Sequence, residues 1–261
     1  MDNAMVRSTG ADADTDVTLS ELQGVRYLHL GTPWVQGAMR ISQPLSIELE
    51  YVRRMMAWLL WTPWDDLPNR CAVQLGLGAG SLTRFTHGVL GMHTEAVECN
   101  GAVIQACQQF FHLPRQGPRF RVWQDDAAAW VAQPARRGTV HALQVDLYDH
   151  DAASPLLDHA AFYGHCRELL APDGVMSINL FGRDASLPRS LGHLAQAFGA
   201  EALWLFGATR EGNTVVLAHR NAAAAAQYPW RAQVAEVQQR FGWRTERWLR
   251  VLRQNSTLPT A

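Results

Sequence analysis

The fold is decided by a mostly apolar run that ends in two acids, Val140-His141-Ala142-Leu143-Gln144-Val145-Asp146-Leu147-Tyr148-Asp149. The apolar part favours a buried strand, and the acids follow its carboxyl end. An earlier strand-like run, Val73–Gly80, ends in a glycine loop. In an open α/β sheet, ligands bind at the carboxyl ends of the strands. The two segments therefore predict a crevice that brings a glycine loop and an acid pair together.

Strand-like and helix-like segments alternate through the middle of the chain. The predicted strands are residues 71–76, 93–98, 119–123, 140–145 and 174–181. The predicted helices are residues 80–90, 101–111, 126–133, 158–171 and 186–198. Such alternation is typical of βαβ units and a parallel sheet. Two later strands, 202–206 and 214–219, leave no room for a helix between them and are predicted to be antiparallel.

The two ends of the chain differ from this α/β region. Residues 1–20 are polar and acidic, which is typical of a disordered tail. Val25–Leu30 and Trp34–Ile41 are predicted to form a hairpin, and Ile47–Trp61 has apolar residues at helical spacing. The predicted units are a tail at 1–20, a β/helix cap at 21–68, a nucleoside-binding α/β domain at 69–221, and an extension at 222–261 with helices at 230–241 and 243–253.

Composition excludes several classes of protein. The 261 residues carry a formal net charge of −1, which gives no basis for a nucleic-acid or anionic-membrane partner. The chain has no Lys, which excludes a lysine Schiff base and a P-loop lysine. Its four cysteines lack CxxC spacing, so buried free thiols are expected and no metal site is predicted. No apolar run reaches the about 18 residues that span a bilayer, and the polar start is unlike a signal peptide, so we expect a cytoplasmic protein.

Three features at predicted strand ends favour a nucleoside site. Gly76, Gly78 and Gly80 lie between a strand and a helix, where glycine lets the backbone approach a ligand. Glu98 ends the next strand, where an acid accepts hydrogen bonds from ribose hydroxyls. Asp126 follows the third strand and suits either an adenine amino group or a helix N-cap. Each feature alone also fits a purely structural role, but together they favour a nucleoside such as S-adenosylmethionine over a dinucleotide.

Residues 71–182 resemble the spermidine synthase, or polyamine aminopropyltransferase, family. The matching strings are Leu75-Gly76-Leu77-Gly78-Ala79-Gly80-Ser81-Leu82, Val97-Glu98 with Val103-Ile104, Asp125-Asp126-Ala127, Val145-Asp146-Leu147-Tyr148-Asp149, Phe162-Tyr163, Leu169-Leu170-Ala171-Pro172-Asp173-Gly174-Val175 and, upstream, Trp34-Val35-Gln36. The resemblance implies the class I methyltransferase fold, a Rossmann-like seven-stranded α/β sheet with an antiparallel last strand, here with an N-terminal β-hairpin/helix cap. The glycine loop and the Pro-Asp-Gly element occur in many methyltransferases, whereas the acid pair followed by Phe-Tyr is more specific.

The resemblance also implies an activity. Members of the family move an aminopropyl group from decarboxylated S-adenosylmethionine to a polyamine such as putrescine. Carried over, Asp146 is the base on the acceptor amine and Asp149 is the amine anchor. The implied nucleoside-binding residues are Gln36, Gly76, Gly78, Gly80, Glu98, Asp126, Ala127 and Asp146. The family expectation is a homodimer that uses no metal.

The chain departs from the family pattern around the amine. Ala79 stands where the family's glycine loop carries an Asp, and Gly37–Arg40 replaces an acidic stretch. The family's late Tyr-Pro segment is replaced by Arg210–Asn213, and its Tyr near the first long helix is matched at best by Tyr51. Fewer anions therefore surround the expected polyamine site than in the family.

Two alternatives remain open because of these departures. One is a methyltransferase that uses S-adenosylmethionine itself, since the cofactor carboxylate would not face a second anion at Ala79. The other is a catalytically silent nucleoside-binding or interaction protein, for which Trp58, Trp61 and Trp64 offer either an apolar contact surface or core. Glu48 and Glu50 are candidates for supplying the missing charge.

Overall fold

The computed structural model describes residues 16–147, 157–181 and 186–255. A small antiparallel sheet comes first, formed by β1 (Val17–Leu22), β2 (Val25–Leu30) and β3 (Gly37–Arg40). The predicted hairpin of β2 and β3 is confirmed, although β3 is shorter than expected. The predicted disordered tail is wrong for residues 17–20, because β1 pairs with β2 along its whole length. Gln23 and Gly24 both have positive φ, the geometry of a two-residue hairpin turn.

The segment that links the two sheets is helical but irregular. Helix α1 (Glu50–Met55) continues into 3-10 turns at Met56–Trp61 and Trp64–Asn69. The helix predicted at 47–61 is therefore present, with only its first part α-helical. Trp58 and Trp61 are buried, so these tryptophans are core residues rather than an exposed contact surface.

The main sheet is built from eight strands in the described part of the chain. They are β4 (Cys71–Leu75), β5 (His93–Glu98), β6 (Phe120–Gln124), β7 (Val140–Val145), β8 (Leu170–Phe181), β9 (Leu203–Phe206), β10 (Asn213–His219) and β11 (Leu252–Gln254). Their spatial order is β11-β9-β10-β8-β7-β4-β5-β6. Strands β4 to β8 run parallel, and β10 is antiparallel to both β8 and β9. The predicted α/β class and the antiparallel late strand are confirmed.

Helices connect and flank these strands. They are α2 (Ser81–Gly88), α3 (Gly101–Phe110), α4 (Ala127–Val131), α5 (Ala160–Leu169), α6 (Ser186–Phe198), α7 (Ala222–Gln227), α8 (Trp230–Phe241) and α9 (Trp248–Val251). Short 3-10 turns lie at Pro134–Arg136, Ala200–Ala202 and Thr245–Arg247. Across the described ranges, every helix is too short or too polar to cross a bilayer.

The end of the chain corrects two predictions. The helix expected at 243–253 is wrong at both ends, because α9 begins only at Trp248 and stops at Val251, and Leu252–Gln254 forms β11. The sheet consequently has an eighth strand where seven were expected. Pairing with β11 gives the backbone groups along the outer edge of β9 hydrogen-bond partners that an edge strand lacks.

Strand β8 carries an irregularity that matters for the crevice. The register between β7 and β8 shifts at the Pro-Asp-Gly element, which lies inside β8 rather than before it. A Cβ at Gly174 would come within 2.7 Å of the carbonyl oxygen of Val140, so glycine is needed there. Beyond the shift Val145 pairs with Ile178, which brings Asn179 level with the end of β7.

Apolar side chains cover both faces of the main sheet. On one face the sheet packs against α1, its following 3-10 turn and α8, around an aromatic cluster that consists of Trp61, Trp204, His219 and Trp230. On the other face it packs against α4, α5 and α6. Because side chains alternate along a strand, Asn213 and His219 lie on the same face of β10, at its two ends.

Candidate active site

A cavity of about 790 Å³ opens at the carboxyl ends of β4, β5 and β7. Its walls come from the glycine loop, the segment between β2 and β3, α1, and the loop between β9 and β10. The predicted site residues that line it are Gln36, Gly76, Gly78, Glu98, Asp126, Ala127 and Asp146. The crevice expected from the strand ends is therefore present.

The glycine loop passes close to two other chain segments. Gly76 has a φ of 82°, and a Cβ there would overlap the carbonyl oxygen of Asp146. Gly78 has a φ of 50°, and a Cβ there would lie 2.9 Å from the carbonyl oxygen of Gln36. The missing side chains thus let the loop, the end of β7 and the β2–β3 segment meet at the cavity wall.

Glu98 sits at the end of β5 with its carboxylate held by backbone donors. Its Oε2 accepts from the Leu77 N–H at 2.9 Å, and its Oε1 accepts from the Asn100 N–H at 2.9 Å. Burial raises the pKa of Glu98, and the backbone hydrogen bonds oppose that rise. Oε1 also accepts from Cys99 Sγ at 3.7 Å, so Oε2 is the oxygen that retains a lone-pair site for a hydroxyl in the cavity.

Asp126 caps a helix, which is one of the two roles that the sequence suggested for it. It is the N-cap of α4, and its Oδ1 accepts from the Ala129 N–H at 2.9 Å. Its side chain nevertheless lines the cavity next to Ala127. The cap fixes the carboxylate at the cavity wall, so the two roles are compatible.

Gln36 contributes a polar side chain from the segment that precedes β3. Its backbone N–H donates to the Leu28 carbonyl oxygen at 2.9 Å, which ties it to β2. Its side-chain Nε2 is buried and has no hydrogen-bond partner among the described residues. A donor left in this state costs about 1–3 kcal/mol, which an acceptor on a bound ligand would offset.

Asp146 is a second carboxyl of the cavity whose pKa is raised. Its Oδ2 accepts from the Tyr51 hydroxyl at 3.2 Å, and its Oδ1 accepts from Asn179 Nδ2 at 2.9 Å. Burial raises its pKa to about 6, while the hydrogen bonds from Asn179 and Tyr51 lower it. A carboxyl with this pKa exchanges its proton close to neutral pH, as a general base must.

Sequence reasoning missed the amides that support Asp146. Asn213 Nδ2 donates to Asn179 Oδ1 at 3.2 Å, so a row of hydrogen bonds leads from β10 through β8 to Asp146. Both asparagines line the cavity. The contact between the two asparagines depends on the pairing of β8 with β10, which no local sequence motif predicts. We name Tyr51, Asp146, Asn179 and Asn213 the carboxylate network.

Three glutamates besides Glu98 line the same cavity, and their neighbours differ. Glu48 is paired with Arg40, and Glu50 with Arg54 at 3.1 Å. Glu211, on the loop between β9 and β10, has no ion pair or hydrogen bond within the described ranges. The Arg210–Asn213 segment replaces the family's late Tyr-Pro segment. In the structure this segment brings a carboxylate, that of Glu211, to the cavity.

Three residues that the sequence analysis singled out do not line the cavity or lie outside the described ranges. Gly80 is the N-cap of α2, where a Cβ would face Arg84 and Leu113, and it does not line the cavity. Ala79 is buried against Gly37 of β3. Asp149 lies outside the described residues.

Two smaller predictions concern sulfur and metals. All four cysteines are free; Cys107 and Cys166 are buried as predicted, but Cys99 is exposed and Cys71 is only partly buried. Among the described residues, no group of three or more His, Cys, Asp and Glu side chains is arranged to hold a metal ion.

The cavity residues fit a nucleoside with a cationic end. Glu98 offers a carboxylate acceptor for a ligand hydroxyl, and the glycine loop leaves room for a ligand next to the backbone. Asp146 lies across that loop with a carboxylate suited to a positive charge or a transferable proton.

Comparison with known proteins shows a likeness in sequence along most of the chain. No protein-family model matches the chain. The chain is 33% identical over 233 residues to the polyamine aminopropyltransferase of Chromobacterium violaceum, an alignment that covers 88% of this chain and 87% of the relative.

Comparison with solved structures confirms the fold class. A probable spermidine synthase from Corynebacterium glutamicum superposes with a TM-score of 0.64 at 18% identity, covering 85% of this chain and 83% of that one. Human methyltransferase-like protein 13, solved in complex with SAH, superposes with a TM-score of 0.63 at 22% identity, covering 77% of this chain and 93% of that one.

Proposed function

The chain belongs to the polyamine aminopropyltransferase family and is a transferase, and we propose that it moves an aminopropyl group from decarboxylated S-adenosylmethionine to a polyamine such as putrescine. The observation that carries the proposal is the partly buried Asp146, whose carboxylate lies at the cavity wall and accepts hydrogen bonds from Tyr51 and Asn179. Family membership alone supports aminopropyl transfer in general; the cavity residues support the details.

The nucleoside end of the proposed site lies at the ends of β5 and β6. Glu98 would accept from the ribose hydroxyls, and Asp126 with Ala127 would contact the adenine. Support comes from the fixed carboxylate of Glu98 and from the position of α4, whose N-terminus lines the cavity. Gln36 would close the site from the β3 side with its buried, unpartnered Nε2.

Asp146 suits the role of base on the acceptor amine. A polyamine nitrogen is protonated at neutral pH and has no lone pair for attack, so a proton must first leave it. Because burial raises the pKa of Asp146 to about 6, its carboxylate is ionised at pH 7 yet is a better proton acceptor than an exposed Asp. The amine lone pair then forms the new C–N bond as the C–S bond breaks. The electron pair of the broken C–S bond stays on sulfur, which becomes a neutral thioether. The sulfonium of the bound nucleoside supplies the leaving group.

The far end of the acceptor needs a second anion, and Glu211 is our assignment. Glu48 and Glu50, the candidates from sequence, already face Arg40 and Arg54. Glu211 lines the cavity and has no such neighbour among the described residues. Asp149 stays a predicted amine anchor that lies outside the described ranges.

A methyltransferase that uses S-adenosylmethionine itself is the second candidate. Ala79 favours it, because an apolar side chain at this position places no anion against the carboxylate of that cofactor. Its buried contact with Gly37 of β3 leaves no polar group at this point of the loop.

Calorimetric titration with both cofactors, followed by product analysis with putrescine, tests the proposal. We expect tighter binding of decarboxylated S-adenosylmethionine and release of methylthioadenosine. Binding of the carboxylated form alone would favour the methyltransferase, and binding of neither would favour a catalytically silent member.

The Glu211 assignment has its own test. We expect Glu211→Gln to lower kcat/KM for putrescine about 2–5-fold, because an exposed charge pair contributes up to about 1 kcal/mol. The Kd of the nucleoside should stay constant. Arg210→Gln is the matched control on the same loop, since Arg210 does not line the cavity. An equal fall in kcat/KM for both variants would show a disturbed loop rather than an acceptor contact, because removing the positive charge of Arg210 should not by itself weaken binding of a cationic acceptor.

A further inference from the structure

We propose that Thr209 and Asn213 are positioning residues that fix the orientation of the Asn179 amide against the Asp146 carboxylate. Neither residue contacts Asp146, and Thr209 lies outside the cavity wall. The inference rests on the proposed function, because it concerns the base of that reaction.

The hydrogen bonds of this group all point in one direction. Thr209 Oγ1 donates to Asn213 Oδ1 at 3.4 Å, and Asn213 Nδ2 donates to Asn179 Oδ1 at 3.2 Å. Asn179 Nδ2 then donates to Asp146 Oδ1 at 2.9 Å. Each acceptor oxygen lies toward β10 and each donor lies toward the carboxylate. Such a row of aligned dipoles strengthens its final hydrogen bond, here the one that Asp146 receives.

The loop between β9 and β10 holds the start of this row. The Thr209 N–H donates to the Asn213 carbonyl oxygen at 2.8 Å, and the Asn213 N–H donates to Thr209 Oγ1 at 3.2 Å. Gly212, with a φ of 102°, makes the tight turn between them. The Thr209 hydroxyl thus contacts both the backbone and the side chain of Asn213, which sets which end of that amide faces Asn179.

Orientation matters because an amide has two arrangements of nearly equal shape. Asn179, Asn213 and Thr209 are only 4%, 8% and 8% exposed, so a mispaired oxygen or NH₂ group cannot turn to water. If Asn179 turned over, its Oδ1 would face the Asp146 carboxylate and repel it. Donation from Asn213 prevents this arrangement, and the Thr209 hydroxyl prevents the same reversal in Asn213.

The chain allows a test that leaves the cavity itself untouched. Thr209→Val removes the hydroxyl at constant volume, Thr209→Ala is a second variant in case valine disturbs the loop, and Thr209→Ser retains the hydroxyl. Thr214→Val is the matched control, because Thr214 is buried on the same strand and points to the opposite face. The other ionisable groups that share the cavity with Asp146 are unchanged in every variant: Tyr51, Glu48, Glu50, Glu98, Cys99, Asp125, Asp126 and Glu211.

The readout is the pH dependence of kcat/KM together with the titration of Asp146 by carboxyl-detected ¹³C NMR. Weaker donation from Asn179 destabilises the ionised carboxylate, so Thr209→Val should move the acidic limb to higher pH by about 0.3–1 unit. At pH 6 this corresponds to a loss in kcat/KM of about 1.5–5-fold. Thr209→Ser and Thr214→Val should keep the wild-type limb.

The outcomes separate this inference from the proposed function. A wild-type enzyme without aminopropyl transfer would contradict the function, and the NMR titration would still decide the role of Thr209. An Asp146 titration that is the same in wild type and Thr209→Val would overturn the positioning role. A shift in Thr209→Ser as large as the shift in Thr209→Val would overturn it as well.

Discussion

The two ends of β10 hold buried polar side chains on the same face of the sheet, and they do different things. At the start of the strand, Asn213 joins the carboxylate network at the cavity wall. At its end, His219 packs against Trp61 with ring centroids 4.6 Å apart, and its Nε2 has no hydrogen-bond partner among the described residues. One end leads to a candidate site, whereas the other belongs to the aromatic cluster.

Burial favours the neutral form of a titratable group at both ends. It raises the pKa of Asp146 to about 6 and lowers the pKa of His219 to about 3. A perturbed pKa therefore does not by itself identify a site. What distinguishes Asp146 is that it has hydrogen-bond donors on two sides and an open cavity in front of it.

Trp61→Ala should give the largest change in stability, because it opens a hole in the aromatic cluster. Trp61 is stacked on Trp230, meets Trp204 edge-on and donates its indole N–H to the Ala225 carbonyl oxygen. We expect the free energy of unfolding to fall by about 3–5 kcal/mol in a denaturant titration. Nucleoside affinity of the molecules that remain folded should not change.

Trp64→Ala is the control for this prediction, since Trp64 lies at the margin of the same core and is only partly buried. Its loss should be smaller. If Trp61→Ala abolished nucleoside binding in folded protein, the aromatic cluster and the cavity would not be separable as described.

Asp146→Asn should stabilise the protein at neutral pH. The folded-state pKa of Asp146 lies above its ordinary value of 3.8, so its contribution is fully present below pH 4 and is lost as pH rises through about 6. Removing the charge should therefore raise the free energy of unfolding at pH 7–8 by about 2–3 kcal/mol. Unfolding titrations at pH 4 should show little of this gain. Asp65→Asn, at an exposed position, should change neither value.

His219→Leu should show the opposite pH dependence. The folded-state pKa of His219 lies below its ordinary value of 6.5, so its contribution is present above pH 6.5 and is lost as pH falls toward 3. Between pH 6.5 and 5 the wild type should lose about 2 kcal/mol through this residue, a loss that His219→Leu lacks. Between pH 5 and 6.5 the contributions of Asp146 and His219 to the free energy of unfolding change in opposite directions and partly cancel in the wild type. Each variant should therefore show a steeper pH dependence of stability than the wild type. Parallel stability curves for the variants would refute the comparison.

The alternating part of the fold was predictable because each strand and helix carries its own apolar period. The ends were not. The strand at Val17–Leu22 depends on a two-residue turn at Gln23-Gly24, where both residues have positive φ. The polar sequence around this turn does not indicate a hairpin. The last strand, Leu252–Gln254, exists because β9 offers a free edge, which is a property of the assembled sheet.

The candidate site divides in the same way. Gly76, Glu98 and Asp146 were found from sequence because a strand end places each of them, and they meet at one cavity. Asn179 and Asn213 were missed because their hydrogen bond depends on the irregularity in β8 and on the pairing of β8 with β10. A sequence shows which residues carry charge but not which charges are neighbours in the fold. The ion pairs of Glu48 with Arg40 and of Glu50 with Arg54 were therefore not predicted.

Asp146 is the residue that we propose as the base for aminopropyl transfer. The most direct measurement is the rate of methylthioadenosine release from decarboxylated S-adenosylmethionine and putrescine, with wild type and Asp146→Asn compared at pH 7.5. We predict release in step with the polyamine product by the wild type, and a rate about 10²–10⁴-fold lower in the variant at saturating nucleoside. Release by Asp146→Asn at the wild-type rate would contradict the account.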